Sequence, residues 1–485
     1  MNTQLITWIN STLGYNISAE YYKKIDLWLD WWRGYFKPFH HFKHSNGKQT
    51  IDRDLYTLKM GKKVCEDWAS ILLNSKTKIV IEDKNANIFV QGEKETSGVL
   101  GANSFWTQAN RLVEKAFATG TGAVVLHIQN VKTNDGKVEI SPEAEIKLNY
   151  ISADMIIPIS VDNGKITEAA FASEFTEKGN KFLKLETHLL DKSGNYVIKY
   201  YRFKADNNTF EEEKLPQDMV SEFNTGCDVP WFSIIEPNIE NDAPDNNGLG
   251  ISVLHGAIDE LKAVDLCFNN FCSDFYLGQK KVFMEKALVE MNEDGTEIAP
   301  DDVHQQLFTY INFPMDKDSD GKKFIQEFNP ALRVEENTKG VQSALDYLSF
   351  KCGLGNKHYQ FNGATVVTAT QYTGDKQDLI QNAHKHYIVV EEFLLSLVRA
   401  ILHVGKHIMG ADFDENTKLE VNFDKSVIID EAAERLQDQQ DVRDGLMAKW
   451  EYRVKWYGET KDKAKQIIAE IEDSQQVDLG FGDEA

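Results

Sequence analysis

The order of elements between residues 248 and 401 constrains this chain more than any other feature. Leu254, Ile258, Leu261, Val264, Phe268, Phe271 and Phe275 step by threes and fours, which predicts a long amphipathic helix over residues 250–277. A polar insert of turns and short strands follows, ending at Asn329-Pro330, a pair that stops a strand and sets up a helix start. The second helix carries Val334, Val341, Leu345, Leu348 and Cys352 on one face, with Glu335 and Glu336 suited to its N-terminal dipole. A loop, GLGNKHYQFNGATVVTAT at 353–370, leads into a third helix marked by Ile380, Ala383, Tyr387, Val390, Leu394, Leu397 and Ile401. That order puts the insert at the far tip of a two-helix stalk and brings the loop back to its base. Neither a nucleotide-binding sheet nor a closed single-core enzyme is written this way. Each apolar stripe is as wide as one or two neighbouring helices cover. The expectation is that sibling chains bury the remainder, with Leu254, Ile258, Leu261, Phe268, Leu345 and Leu348 packing subunit on subunit. The chain reads as one spoke of a ring.

At 485 residues it has room for several subdomains, and a hydrophobic share of 42% rules out wholesale disorder. The formal charge of −23 argues against a free-standing DNA binder, which presents a basic face. Cys65, Cys227, Cys267, Cys272 and Cys352 are scattered, with no CxxC or Cys/His ligand spacing. Reduced thiols and no structural zinc are expected. The start, MNTQLITWIN, lacks the charged flank and apolar stretch of a signal peptide, and the apolar run at 388–409 is broken by Glu391, Glu392 and Arg399. These features predict a soluble intracellular product.

Before the stalk, residues 1–39 read as helical and aromatic, with Ser18 as an N-cap and Trp28, Trp31, Trp32, Tyr35 and Phe36 forming a dense patch. Burial against a neighbouring domain explains that patch better than base stacking, because few basic residues are interleaved. A helix is expected over 55–73, strands at 78–82 and 88–92, a helix over 105–119 stopped by Gly120, and a strand at 123–129. Residues 146–210 read as a strand meander with turns at DNG (162–164), KSG (192–194) and DNN (206–208). Runs of strands and runs of helices, without βαβ alternation, make the fold class α+β. PNIENDAPDNN at 237–247 reads as a linker, and charged helices fill the tail after residue 430.

Motifs for chemistry are few. Asp316, Asp318, Asp320 and Glu327 fit the spacing of a calcium loop, but the flanks read as strands and Lys323 occupies the apolar position, so a solvated hairpin turn is preferred. No phosphate-cradling G-x-x-x-x-G-K-[ST], no G-x-S-x-G and no H-E-x-x-H occurs, and the twelve histidines are dispersed. An enzyme is not indicated, and neither a cofactor nor a bound metal is expected. The 353–370 loop is longer than a helix–helix turn requires, a length usually tied to function.

Four stretches carry a resemblance: 247–271, 328–355, 368–394 and 446–460, in that order along the chain. Together they resemble the portal protein family of tailed bacteriophages, in the branch infecting Gram-positive bacteria. The resemblance implies a twelvefold ring at one capsid vertex of the virion, assembled in the host cytoplasm. It implies a wing at 1–249, stem helices at 250–278 and 333–353, and a clip at 279–332 between them. A tunnel loop at 354–370, a wing helix with a return strand at 371–429, and a crown with an acidic tail at 430–485 complete it. Implied partners are a terminase motor, a head–tail connector, capsid and scaffold proteins, and double-stranded DNA held without sequence preference; no membrane is implied. Lys357, His358, Tyr359, Gln360, Phe361, Asn362, Thr365 and Thr368 are then the loop residues expected to meet DNA. Two other classes stay open: a protein-only scaffold or connector ring, and an acidic nucleic-acid enzyme without recognisable motifs.

Overall fold

A computed structural model describes residues 2–45, 50–93, 97–130, 132–134, 137–139, 143–206, 209–216, 220–285, 294, 308–311, 325–360, 376–423, 431–457, 459 and 461–478. The N-terminal helices are α1 (Asn2–Leu13), α2 (Tyr22–Arg33) and α3 (Lys37–His40), followed by the hairpin β1 (His41–Ser45) and β2 (Thr50–Asp54). Next come α4 (Met60–Leu72), β3 (Lys78–Ile81), α5 (Lys84–Gln91), α6 (Gly98–Ala102) and α7 (Phe105–Thr119). The strand-rich body comprises β4 (Gly122–Gln129), β5 (Lys132–Asn134), β6 (Lys137–Glu139), β7 (Glu145–Ser152), β8 (Ile156–Asp162), β9 (Lys165–Glu177), β10 (Asn180–Leu190) and β11 (Tyr196–Asp206). It closes with β12 (Thr209–Glu213), β13 (Glu222–Asn224) and β14 (Phe232–Ile235). Strands β8 to β12 form an antiparallel meander in sequence order, with β13 added beside β11, while β14-β4-β7 is a separate three-stranded sheet.

Strand β4 shows why the body holds together. Side chains on a strand alternate between faces, and both faces of β4 are covered. Val124 and Leu126 join a core built with α4, α7 and the later helices, whereas Ala123 and Val125 join a second core under the meander. Helix α2 feeds both cores, Trp28 entering the second and Trp31 the first, each almost wholly buried. The aromatic patch is therefore interior packing. Tyr21, not Ser18, stands at the α2 N-cap position, and the Ser18 hydroxyl accepts only from the Glu20 amide.

The second half contains α8 (Ile258–Leu277), β15 (Lys281–Glu285), β16 (Phe308–Ile311), β17 (Ile325–Phe328), α9 (Val334–Lys351) and α10 (Gln377–His403). After it come β18 (Leu419–Asn422), which pairs with β3, and the tail helices α11 (Glu431–Arg443), α12 (Lys449–Tyr457) and α13 (Lys461–Asp478). No helix among the described residues is long and apolar enough to cross a membrane.

Three expectations are corrected. The segment at 88–92 is helical: the Asp83 carboxylate caps α5 by accepting from the Ala86 amide at 2.7 Å, and Ala86 and Val90, one turn apart, are buried. Residues 237–247 are a folded turn, with the Asn241 side-chain amide donating to the Tyr21 hydroxyl (2.7 Å) and the Leu249 carbonyl. The stalk helix starts at Ile258 because residues 250–257 are committed to the C-terminus of α7. There the Val253 amide and the Ser252 hydroxyl both donate to the Phe117 carbonyl. Gly120 (φ 92) and Gly250 cross so closely that a Cβ on either would lie 2.2–2.3 Å from the other's carbonyl oxygen, so both must be glycine.

Candidate functional site

The described parts of the stalk and the root of the loop beneath it bring most of the sequence-derived residues into one region. Helices α8 and α9 run antiparallel: the end of α8 meets the start of α9, where Arg333 donates to Asp274 at 2.6 and 3.1 Å and the Asn337 amide donates to the same carboxylate at 2.7 Å. The insert therefore leaves and re-enters the stalk at one point. Its sheet places β15 centrally, parallel to β16 and antiparallel to β17.

Contacts within the chain correct the expected subunit-packing set. Leu254, Leu261, Leu345 and Leu348 are fully buried inside the chain, and Ile258 and Phe268 are half-buried. A stripe read from sequence reports the best-packed face, and here the first core covers it. Helix α10 is likewise enclosed from Leu379 to Leu402 along its apolar face. The uncovered apolar side chains are Leu266 (48% exposed), Phe275, Tyr276 and Leu277 on α8 and Val334, Tyr347 (69%) and Phe350 (61%) on α9; Phe275 and Val334 end the two stripes at the tip, and the others lie off them.

Asp265 ties the base of α8 to the N-terminal region. Its carboxylate lies 3.0 Å from His40 Nε2 and accepts from the Leu58 amide at 2.7 Å, all in buried surroundings. Across the core, Trp68 of α4 donates its indole N–H to the Cys352 carbonyl at the end of α9, at 3.0 Å.

The loop begins at Gly353 (φ 78), whose carbonyl accepts from the Asn382 side chain on α10. Leu354 is buried, and Tyr359 is 9% exposed within the first core. The Tyr359 hydroxyl donates to Asp67 Oδ2 at 2.9 Å, and its carbonyl accepts from Gln342 Nε2 at 2.7 Å. Asp67 also pairs with Lys63 and lies 3.5 Å from His358 Nε2. Burial pushes the Asp67 carboxyl up, but hydrogen bonds from His358, Lys63 and Tyr359 outweigh it and hold the group below its ordinary value. Burial followed by the Asp67 charge drives the Tyr359 phenol strongly upward, so it stays a protonated donor.

Tyr359 is thus an anchor, which corrects its expected place among side chains brushing a passing surface. Lys357, at φ 65, and Gln360 are exposed, and His358 is half-buried. Phe361, Asn362, Thr365 and Thr368 lie outside the described residues, as do Asp316, Asp318 and Asp320 of the calcium-loop match. Glu327 of that match sits on β17 and pairs with Lys280 at 2.7 Å. The flanks of the match are the strands β16 and β17, which is not the helix–loop–helix setting of an EF-hand. Asp67 was invisible to local reading, since it is 292 residues from its tyrosine.

Removing the phenol hydroxyl tests the anchor. Tyr359→Phe is expected to cost about 1.5–3 kcal/mol, the usual worth of a hydrogen bond to a charged group. Gln360→Ala is expected to cost nothing measurable. Chemical denaturation of the full chain checks both, and equal midpoints for Y359F and wild type would show that the bond does not hold the loop root.

A stalk with a small sheet at its tip and an anchored loop at its base, on a packed α+β body, is the subunit of a structural assembly. The chain belongs to the phage portal protein family of the SPP1 Gp6-like type, whose model matches residues 15–477. That family is structural and not enzymatic, and its members are capsid-associated components of the virion. Among solved structures, a chain of the virion of a native gene transfer agent particle aligns over 81% of this chain and 88% of its own, at 10% identity and a TM-score of 0.38. A chain of the neck of that particle, computed with C12 symmetry, aligns over the same shares at 10% identity and a TM-score of 0.37. No curated protein matches the sequence.

Proposed function

We propose that this chain assembles into a closed ring, twelvefold in the virion, that lines the DNA channel at one capsid vertex. In this reading α8 and α9 are the stem, the insert is the clip that docks a terminase motor during packaging and a head–tail connector afterwards, and the tail helices are the crown. Capsid and scaffold proteins surround the wing. The observation that carries it is an uncovered aromatic face on a portal-family helix. Tyr347 and Phe350 stand exposed on α9, whose opposite face is fully packed by Leu345 and Leu348. A head-to-tail ring gives every such face a partner without leaving an open end.

Charge supports a conduit and not a grip. Twelve copies carry −276 at −23 each. DNA is held by lysine and arginine contacts to phosphate, whereas an acidic wall leaves it free to slide. The loop then supplies the light contacts that resist slippage: Lys357 and Gln360 stand exposed on either side of the Tyr359 anchor, and Phe361, Asn362, Thr365 and Thr368 follow in sequence.

Two variants test this reading together. Tyr347→Glu with Phe350→Glu is expected to leave folded single subunits where the wild type gives toroids in negative stain. Replacing Phe361, Asn362, Thr365 and Thr368 by Gly or Ser, with Tyr359 retained, is expected to leave rings intact and to reduce packaged DNA. Intact rings from the first variant, or full heads from the second, would overturn the corresponding half.

A further inference from the structure

The end of α10 carries a cluster of two histidines and a glutamate. His403 closes the helix, residues Val404–Ile408 form a π-turn, and the chain folds back so that Glu415 faces both His403 and His407. His403 Nδ1 lies 3.3 Å from Glu415 Oε2, and His407 Nε2 lies 3.0 Å from each carboxylate oxygen. One donor atom from each of the three residues falls within 4.8 Å of the others. The imidazoles stack with centroids 4.4 Å apart and planes inclined by 29°.

We propose that His403, His407 and Glu415 bind one divalent transition-metal ion of the zinc type, which clasps the end of α10 to the turn that delivers β18. Zinc bound by nitrogen and carboxylate oxygen at about 2.0–2.1 Å in a tetrahedron separates its ligand atoms by about 3.3 Å. The two histidine–carboxylate separations, 3.0 and 3.3 Å, are of that size, and the three ligand atoms all lie within 4.8 Å of one another. Two imidazoles with one carboxylate suit zinc and its first-row neighbours, whereas calcium and magnesium take oxygen ligands.

The ligands are held in advance. Arg399 Nη1 donates to the Glu415 carbonyl at 2.6 Å, the Asn416 amide donates to Asp414 Oδ1 at 3.0 Å, and the Thr417 hydroxyl accepts from the Asp83 amide at 2.8 Å. Side-chain exposures of 14% for His403, 22% for Glu415 and 47% for His407 describe a cup open on one side, which leaves a fourth position for water.

Lys406 Nζ, 3.9 Å from Glu415, is the competing cation, carried on a partly exposed side chain able to swing away. Cys-centred spacing rules pass over this site, because its third ligand is a carboxylate from another segment.

The test is calorimetric titration of the full-length protein, free of any affinity tag, with zinc chloride, and with cobalt(II) as a spectroscopic stand-in. One zinc per chain is expected, with the visible bands of four-coordinate cobalt. Affinity should fall at least about tenfold in His407→Ala and in Glu415→Gln, the loss typical even of residues that only support a ligand. It should fall again as pH drops through the histidine range, because the ligands must be deprotonated. His384→Ala, at an exposed histidine elsewhere on α10, should bind as wild type, and circular dichroism should show every variant folded. Absence of binding, or undiminished binding in the folded H407A/E415Q double variant, overturns the proposal.

Discussion

Trp68→Ala is expected to destabilise the chain by about 4–6 kcal/mol, the largest effect of any single truncation considered. Deleting a fully buried tryptophan costs about 3–5 kcal/mol through lost burial and the cavity left behind. The remainder comes from the Cys352 carbonyl, which loses its indole donor in a buried setting, worth about 1 kcal/mol or more. Position explains why relaxation recovers little. Trp68 has no exposed surface; its ring stands 4.9 Å from that of His386 on α10 and 5.9 Å from that of Phe117 on α7, while its N–H closes the end of α9. Four helices meet on one side chain, so no single one can move in to fill the gap. Trp68→Phe is the milder cut, since it keeps a six-membered ring in the core while removing the donor and part of the indole, and about 1–3 kcal/mol is expected. Denaturant titration followed by circular dichroism measures both. A cost below about 1 kcal/mol for W68A would mean that the stalk base is not keyed by this residue.

That junction also marks how far the sequence could be read. Helix α7 was legible end to end, because its apolar period is strong and Gly120 stops it with a left-handed residue. The third helix was legible for the same reason, the α+β class follows from the order of such elements, and the resemblance to the portal family rests on the four stretches at 247–271, 328–355, 368–394 and 446–460. Segment 88–92 was misread because Ile88, Phe89 and Val90 favour strands locally, while the Asp83 cap and the one-turn spacing of Ala86 and Val90 decide the outcome. The stalk shows a different limit. Periodicity identified Leu345 and Leu348 as a packed face and could not say that the packing lies within the chain. The exposed aromatics Tyr347 and Phe350 stand off that period. The Asp67–Tyr359 anchor, the Trp68–Cys352 bond and the His403–Glu415 contact join residues that are distant or in separate elements, and no local rule encodes them.

Acidification from neutral pH is expected to draw stability from the fold through His386. Burial first, and the neighbouring Lys385 second, hold the His386 imidazole down to about 3 from an ordinary 6.5. The geometry requires the neutral ring: Nδ1 accepts the Asn238 backbone N–H at 3.1 Å, and protonation would set one N–H against another. Because the folded value lies below the unfolded one, the unfolded chain binds the extra proton between them. The stabilisation is fully present above about 6.5 and drains away as pH falls toward 3, by up to about 1.4 kcal/mol per pH unit. Buried His188, brought down by burial to about 4, contributes a second loss of the same sign. Glu186 enters later. Burial raises it, but His127 and Lys184 bring it to about 2, so its stabilisation is lost only below the ordinary carboxylate value of 4.5. Between about pH 6.5 and about pH 4.5 the two histidines are opposed by Glu236, which burial first and Glu392 second raise to about 7, so that its protonation favours the fold as pH falls. His386→Asn keeps an acceptor near the Nδ1 position and removes the titration. It should be less stable than wild type near neutrality, from lost packing against Trp68 and Phe117, yet lose stability less steeply as pH falls. Denaturation midpoints at several pH values across that window measure the slope, and an unchanged slope in H386N would assign the acid sensitivity to other groups.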